Sequence, residues 1–211
     1  VKISIDLMGG DNSPDKTLLG IDLFVKRNKN KNDYFFYLFG DENIVGKKIS
    51  KLKYLKSNYK LVDTKIVVSN DLSPLAALKK GKGSSMWESI RSQISLNSDV
   101  TLSAGNTGVL LIMSKLILKT MNGINKPALA GLWPNDKDMN IVLDLGANID
   151  CSEKNLIDFS EMGSALYRSL FHNEIAKVAL LNIGSEEVKG TETLKNTYSK
   201  LKILDGMGDF K

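Results

Sequence analysis

The chain has one cysteine and one histidine among its 211 residues. A single thiol excludes an internal disulfide framework and points to a reducing compartment, the cytoplasm. It also leaves little for nucleophilic catalysis. No Ser or Cys elbow accompanies His172, which closes a long helical stretch where a cation suits the helix dipole. Cys151 has no neighbouring base in the sequence and reads as a bystander. Metal-ligand spacing of His, Cys, Asp and Glu is missing, so no metal is expected. Arginine is nearly as rare: Arg27, Arg91 and Arg168 are the whole set, and none adjoins a glycine turn. A decarboxylating nicotinamide-dependent dehydrogenase, which needs an arginine set and clustered carboxylates, is therefore disfavoured. The first glycine turn lacks the Gly-x-Gly-x-x-Gly spacing, so no dinucleotide and no other cofactor is expected.

Long apolar runs are absent too. None reaches the roughly 18 residues of a membrane span, and residues 109–118 carry Lys115. Val1 opens directly into a strand pattern, so no leader is expected. No repeat or low-complexity linker divides the chain, and a single α/β domain over residues 1–211 is the expectation. The tail Asp205-Gly-Met-Gly-Asp-Phe-Lys211 stops just past an apparent strand start, which reads as truncation at the C-terminus.

What is present is ordinary globular composition, 42% hydrophobic and 25% charged. The net charge is +5, and basic residues crowd positions 26–32 and 47–60. With little aromatic interleaving for base stacking, these read as solvated helix ends and loops. No nucleic acid is expected; an acidic partner stays open.

Apolar strand patterns at residues 2–7, 34–39, 59–62, 66–68, 99–103, 128–133, 140–145 and 176–182 alternate with helical patterns. The helices are expected over 15–26, 43–52, 74–81, 86–96, 107–120, 153–171 and 191–201. Asn12 or Ser13, Asp41, and Ser84 or Ser85 are the candidate caps. Strands alternating with such helices imply right-handed crossovers and a mostly parallel sheet covered on both faces, a three-layer α/β fold.

Three segments run from a strand through a Gly-Asn turn into a helix: Ser103-Ala-Gly-Asn-Thr-Gly108, Asp144-Leu-Gly-Ala-Asn148 and Asn182-Ile-Gly184. Such turns put N–H groups and the positive end of a helix dipole at the carboxyl edge of a sheet, where anions bind. Three in one chain suggest a shared phosphate or oxyanion site. Gly105, Asn106, Thr107 and Gly108 form the strongest of them, although a plain Asn cap uses the same residues. Lys189, beside the third turn with Glu187, is a natural counter-charge for phosphate; a surface loop with local ion pairs is the plainer reading. After the first strand, Gly9 and Gly10 allow close approach to the backbone. Asp6 and Asp11 can orient a site lysine or bind a metal, or simply cap a tight turn. Lys79-Lys-Gly-Lys-Gly-Ser-Ser85 lacks the spacing of an ATP-binding loop, but Ser84 and Ser85 at a helix start can hold a phosphate.

In order, Ile5-Asp-Leu-Met-Gly-Gly-Asp-Asn-Ser-Pro14, Lys82-Gly-Ser-Ser-Met86, Ser103-Ala-Gly-Asn-Thr-Gly108, Asp144-Leu-Gly-Ala-Asn-Ile-Asp150, Met162-Gly163 and Leu181-Asn-Ile-Gly-Ser-Glu-Glu-Val-Lys-Gly190 resemble the bacterial acyl-carrier-protein:phosphate acyltransferases of phospholipid synthesis, the PlsX family. The resemblance spans essentially the whole chain. It implies an architecture similar to isocitrate dehydrogenase and phosphate acetyltransferase. It also implies transfer of a fatty acyl group from acyl carrier protein to inorganic phosphate, giving acyl phosphate for phospholipid synthesis. Partners implied are the carrier protein, phosphate, a second copy in a homodimer of the full-length protein, and peripheral contact with the inner face of the membrane. The family is longer, with a further C-terminal third.

That chemistry needs a phosphate cradle and oxyanion donors rather than a triad. The candidates are Asn106, Asn148 and Lys189 for catalysis. Gly9, Gly10, Ser84, Ser85, Gly105, Thr107, Gly108, Asn182 and Gly184 are candidates for phosphate, and Asp6, Asp11, Asp144 and Glu187 for orientation. The rival readings are a coenzyme A-dependent phosphate acetyl- or butyryltransferase and a non-catalytic basic binding domain.

Overall fold

The computed structural model describes residues 1–29, 33–69, 71–136, 138–172, 174–184 and 189–203. It divides into two compact units, Val1–Lys119 and Thr120–Lys211.

The first unit is built on four parallel strands, β1 (Lys2–Asp6), β2 (Phe35–Gly40), β3 (Tyr59–Asp63) and β4 (Val100–Ser103), in the order β3-β2-β1-β4. Side chains alternate across a strand, and both faces are covered. On one face Ile5, Phe36 and Leu38 pack with Leu18 and Ile21 of α1 (Asp15–Arg27) and with Val45 and Ile49 of α2 (Glu42–Ile49). On the other face Ser4 meets Ser92 of α4 (Ser85–Ser95) through their hydroxyls. Thr101 there donates to the Ser89 carbonyl at 2.9 Å. This is the three-layer arrangement expected from the alternating pattern. A second core joins Ala77 of α3 (Pro74–Lys80), Met86 and Ile90 of α4, and Val109 and Met113 of α5 (Thr107–Leu118).

Two local expectations change. Residues 66–68 form no strand; Ile66 makes one isolated bridge to Ser84. Ile66 and Val67 stay exposed, and without covered side chains on one face a strand has little to hold it. At the start of α1, neither Asn12 nor Ser13 is the cap: Pro14 holds that position, and the Ser13 hydroxyl is spent on the Gly9 carbonyl. Asp41 and Ser84 cap α2 and α4 as expected, accepting from Asn43 and Trp87 N–H at 2.9 and 3.2 Å.

In the second unit, β5 (Gly131–Pro134) and β6 (Met139–Val142) pair antiparallel. The link is too short for a parallel crossover. It is closed by Asn135 N–H on the Asp138 carbonyl at 2.8 Å and Asp138 N–H on Asn135 Oδ1 at 2.7 Å. A capping box of Ser152 and Asn155 starts α6 (Glu153–Leu170), and Thr191 caps α7 (Glu192–Leu201). Glu153 ties the two helices through Lys200 and Asn196. The strand expected over 176–182 is not formed. Ladder partners and cover for its apolar side chains are what a strand needs, yet Leu181 is 90% exposed. The strand start expected in the tail lies outside the described residues.

Asp22 of α1 holds the chain beyond α2 in place. Its nearly buried carboxylate accepts N–H groups of Lys53, Tyr54 and Leu55 at 3.3, 2.7 and 2.8 Å. Burial alone would raise its pKa; those three donors and the charge of Lys56 reverse the effect and hold it below its ordinary value. Asp22→Ala leaves three backbone donors without an acceptor and is expected to cost about 2–3 kcal/mol by denaturant titration. Because the folded pKa is depressed, this contribution is complete above the ordinary aspartate range and fades as pH falls through the lowered value. The gap between wild type and variant should therefore narrow below about pH 4.

Candidate active site

Parallel strands open their carboxyl ends on one edge, and ligands gather where neighbouring strands send the chain to opposite sides. The order β3-β2-β1-β4 puts that switch between β1 and β4. The chain runs outward from β1 to β2 and β3, then returns to β4 on the far side of β1. Gly9, Gly10 and Asp11 follow β1; Gly105 and Asn106 follow β4.

Asp6, the last residue of β1, joins the two turns and is 1% exposed. Its Oδ1 accepts Met8 and Gly9 N–H at 3.1 and 3.2 Å, and its Oδ2 accepts the Ser103 hydroxyl at 2.7 Å. Ser103 Oγ in turn accepts Gly105 N–H at 3.1 Å. Loops this close leave no room for side chains. A Cβ on Gly9 would lie 2.5 Å from Asp6 Oδ2 and 2.9 Å from Gly105 N. One on Gly10, whose φ is +88°, would lie 2.5 Å from the Ala104 carbonyl oxygen. One on Gly105 would meet not the other turn but the flexible end of Met86 in α4, 2.6 Å from its Cε. The N–H groups of Gly9 and Gly105 thus serve the scaffold.

Donors left without an acceptor are found at the start of α5. Asn106 Oδ1 accepts Val109 N–H at 3.1 Å, so this side chain caps its own helix. Thr107 is exposed and Gly108 half-buried. As the first two helical residues, their N–H groups have no intrahelical acceptor, and none is found for them among the described residues. The positive end of the helix dipole adds to them, which is the arrangement that takes a phosphate oxygen. Ser84 and Ser85 are buried at the start of α4; Ser84 caps it and Ser85 N–H donates to the Ile66 carbonyl at 3.1 Å. Asp11 is exposed.

In the second unit, Asp144 Oδ1 accepts Leu129 N–H at 2.7 Å and its Oδ2 accepts Asn148 N–H at 2.6 Å. Burial would raise the Asp144 pKa; backbone N–H groups of Leu129, Asn148 and Ala147, with the Asn148 amide, hold it below its ordinary value. Asn148 Nδ2 donates to the Pro127 carbonyl at 2.9 Å and to Asp144 at 3.1 Å, so an oxyanion could take this donor only by displacing them. Asn182 closes the third turn, donating to the Lys189 carbonyl at 3.3 Å and accepting Ile183 N–H at 2.9 Å. Gly184 is half-buried and Lys189 exposed; Glu187 lies outside the described residues. Cys151 is half-buried, and burial, with Asp144 and Asp150, pushes its thiol pKa up against the pull of Lys126. Among the described residues no three His, Cys, Asp or Glu side chains gather into a metal site.

Ser103, which links the two turns, went unnoticed as a site residue in the sequence. Its role comes from register: it ends β4 opposite Asp6, which ends β1, and no local pattern contains that pairing.

The fold is that of solved phosphotransacetylases. A phosphotransacetylase from Streptococcus pyogenes superposes with a TM-score of 0.70 at 15% identity, covering 100% of this chain and 67% of that one. EutD phosphotransacetylase from Staphylococcus aureus gives 0.65 at 15% identity, covering 96% and 63%. The family described as "Fatty acid synthesis protein" matches residues 1–208, and the chain belongs to it. Similar curated proteins are "Phosphate acyltransferase" of Pelagibacter ubique (strain HTCC1062), 53% identical over 95% of this chain, and that of Rhizobium meliloti (strain 1021), 41% identical over 99%. The chain spans 59% of the length of each. The resemblance read from the motifs is thereby borne out.

Gly9→Ala is expected to cost about 1–3 kcal/mol through overpacking against Asp6 and Gly105. Gly20→Ala, inside α1 with nothing within 4 Å of the added carbon, should stabilise by about 0.5–1 kcal/mol. Thermal denaturation of the pair checks both signs.

Proposed function

We propose that this chain belongs to an acyltransferase that moves a fatty acyl group from acyl carrier protein to inorganic phosphate, releasing acyl phosphate for phospholipid synthesis. The observation that carries the reading is the open start of α5 at the switch point, in a chain of this family. Phosphate held by Thr107 and Gly108 N–H is already an anionic nucleophile. Its oxygen attacks the thioester carbonyl, the new C–O bond forms, the C–S bond breaks, and the electron pair leaves on the thiolate. No base and no acyl-enzyme is required, which agrees with a chain holding one histidine and a thiol of raised pKa. Asn106 and Asn148 are the proposed oxyanion donors and Lys189 the charge for phosphate. Gly9, Gly10 and Gly105 shape the cradle through their bare backbone rather than by donating to the anion, and Ser84, Ser85, Asn182 and Gly184 are its remaining proposed members. Asp6, Asp11, Asp144 and Glu187 orient it.

In this reading the 211 residues act as one domain, the acidic carrier protein is drawn to a basic surface, and a second copy completes a homodimer. The enzyme works in the cytoplasm with peripheral contact at the inner face of the membrane. Among the described residues no helix is long and apolar enough to cross a membrane. The test is mass spectrometry of products from long-chain acyl carrier protein and phosphate, run beside the matching coenzyme A thioester. Acyl phosphate from the carrier protein supports the proposal; acyl phosphate from coenzyme A alone replaces it with the phosphotransacetylase reading.

Two variants of the active protein probe the mechanism. Asn106→Ala should lower turnover about one hundred-fold or more, while the lost cap costs only about 1 kcal/mol of stability. Cys151→Ser should leave turnover nearly unchanged. An inactive Cys151→Ser together with a thioester-linked acyl-enzyme in the mass spectrum would rule out direct attack by phosphate.

A further inference from the structure

The positive charge of this chain is not spread over it. Residues 26–60 hold ten of the 29 Lys and Arg but three of the 24 Asp and Glu, so the rest of the chain is slightly acidic. Part of that stretch folds around one ring. The ammonium groups of Lys26, Lys29 and Lys53 lie 5.6, 5.0 and 5.6 Å from the centroid of Tyr54. None of the three has an ion-pair partner among the described residues. The nearby carboxylate of Asp22 is taken up by the N–H groups of Lys53, Tyr54 and Leu55. One aromatic face attracts each cation weakly, and it does nothing to relieve the repulsion among three of them.

Beside this ring is a pocket of about 260 Å³, lined by Val25, Lys29, Tyr34, Lys53, Tyr54, Ser57 and Asn58. Tyr34 immediately precedes β2 and Asn58 immediately precedes β3, so the pocket is at the amino edge of the parallel sheet. The start of α5 is at the carboxyl edge, a strand length away, so the two are separate sites.

We propose that this pocket binds a phosphate monoester. The ammonium groups of Lys29 and Lys53 line it together with the hydroxyls of Tyr34 and Ser57 and the amide of Asn58, and Lys26 lies against the same Tyr54 ring; this is the mix of cations and neutral donors that a tetrahedral dianion takes. Lysine ammonium groups serve phosphate as compact point charges. The volume falls below the roughly 300–1,000 Å³ of ordinary small-molecule pockets, which leaves room for a phosphate on a short alcohol rather than for a large ligand. A phosphate monoester of this size is available in two forms, as a soluble ester and as the headgroup of a lipid.

The experiment uses the whole chain with its lysines labelled at Cε with carbon-13, titrated with glycerol phosphate and followed by NMR. A parallel arm measures flotation with phosphatidylcholine vesicles with and without phosphatidic acid. The comparison protein is Lys29→Gln/Lys53→Gln, two exposed substitutions that leave both cores intact. Saturable shifts at Lys26, Lys29 and Lys53 with the soluble ester, weakened at least ten-fold in the double variant, identify a soluble ligand. Flotation that needs phosphatidic acid and is lost in the double variant identifies a lipid headgroup. Uniform, unsaturated shifts that include Lys115 and Lys177, without flotation, overturn the proposal. Binding that survives in the double variant overturns it as well.

Discussion

The close approach of two backbones at the carboxyl edge of the sheet is the constraint on which the proposed chemistry depends. The turns after β1 and β4 come within contact distance because Gly9 and Gly10 carry no side chain. Asp6 and Ser103 then bind the two turns to each other. A buried carboxylate needs a full set of donors, and Asp6 finds them in two N–H groups and a hydroxyl. The start of α5 follows Gly105 directly, so its position and direction are inherited from this junction. Anion binding by a helix end is a matter of where its first N–H groups point; here the pointing is done by residues that need not touch the anion.

The same junction explains why so little reactive side-chain chemistry is present. Phosphate brings its own charge and the thiolate leaves readily, so the protein has to place and polarise rather than transfer protons. Main-chain donors on a rigid edge are suited to that. Cys151, the one residue that would suggest a covalent route, sits where burial and two carboxylates disfavour the thiolate.

Much of the fold was legible in the sequence because local signals agreed with the tertiary outcome. The dense aromatic run at 34–39 became β2, Asp41 capped α2, and the apolar stripe after Asn106 became α5. The misses have physical causes. The segments 66–68 and 176–182 are apolar enough for strands, but pairing and cover are tertiary properties that no local pattern contains. The strands expected at 128–133 and 140–145, within a mostly parallel sheet, are instead paired antiparallel as β5 and β6 through a short closed turn. At the site, glycine positions were readable because a turn after a strand demands them. The direction of each Asn was not. Asn106 and Asn148 looked alike as donors, yet one caps a helix through its oxygen and the other spends its amide on Pro127 and Asp144. Ser103 escaped notice because its role appears only when β4 is set beside β1.

The most direct measurement is a titration of nitrogen-15-labelled protein with inorganic phosphate, read at the backbone amides. The account predicts saturable shifts in the millimolar range or below at Thr107 and Gly108, whose N–H groups have no acceptor among the described residues. The amides of Gly9 and Gly105, already donated to Asp6 and Ser103, should move far less. Saturable shifts confined to other turns, or none at Thr107 and Gly108 while phosphate binds elsewhere, would contradict it.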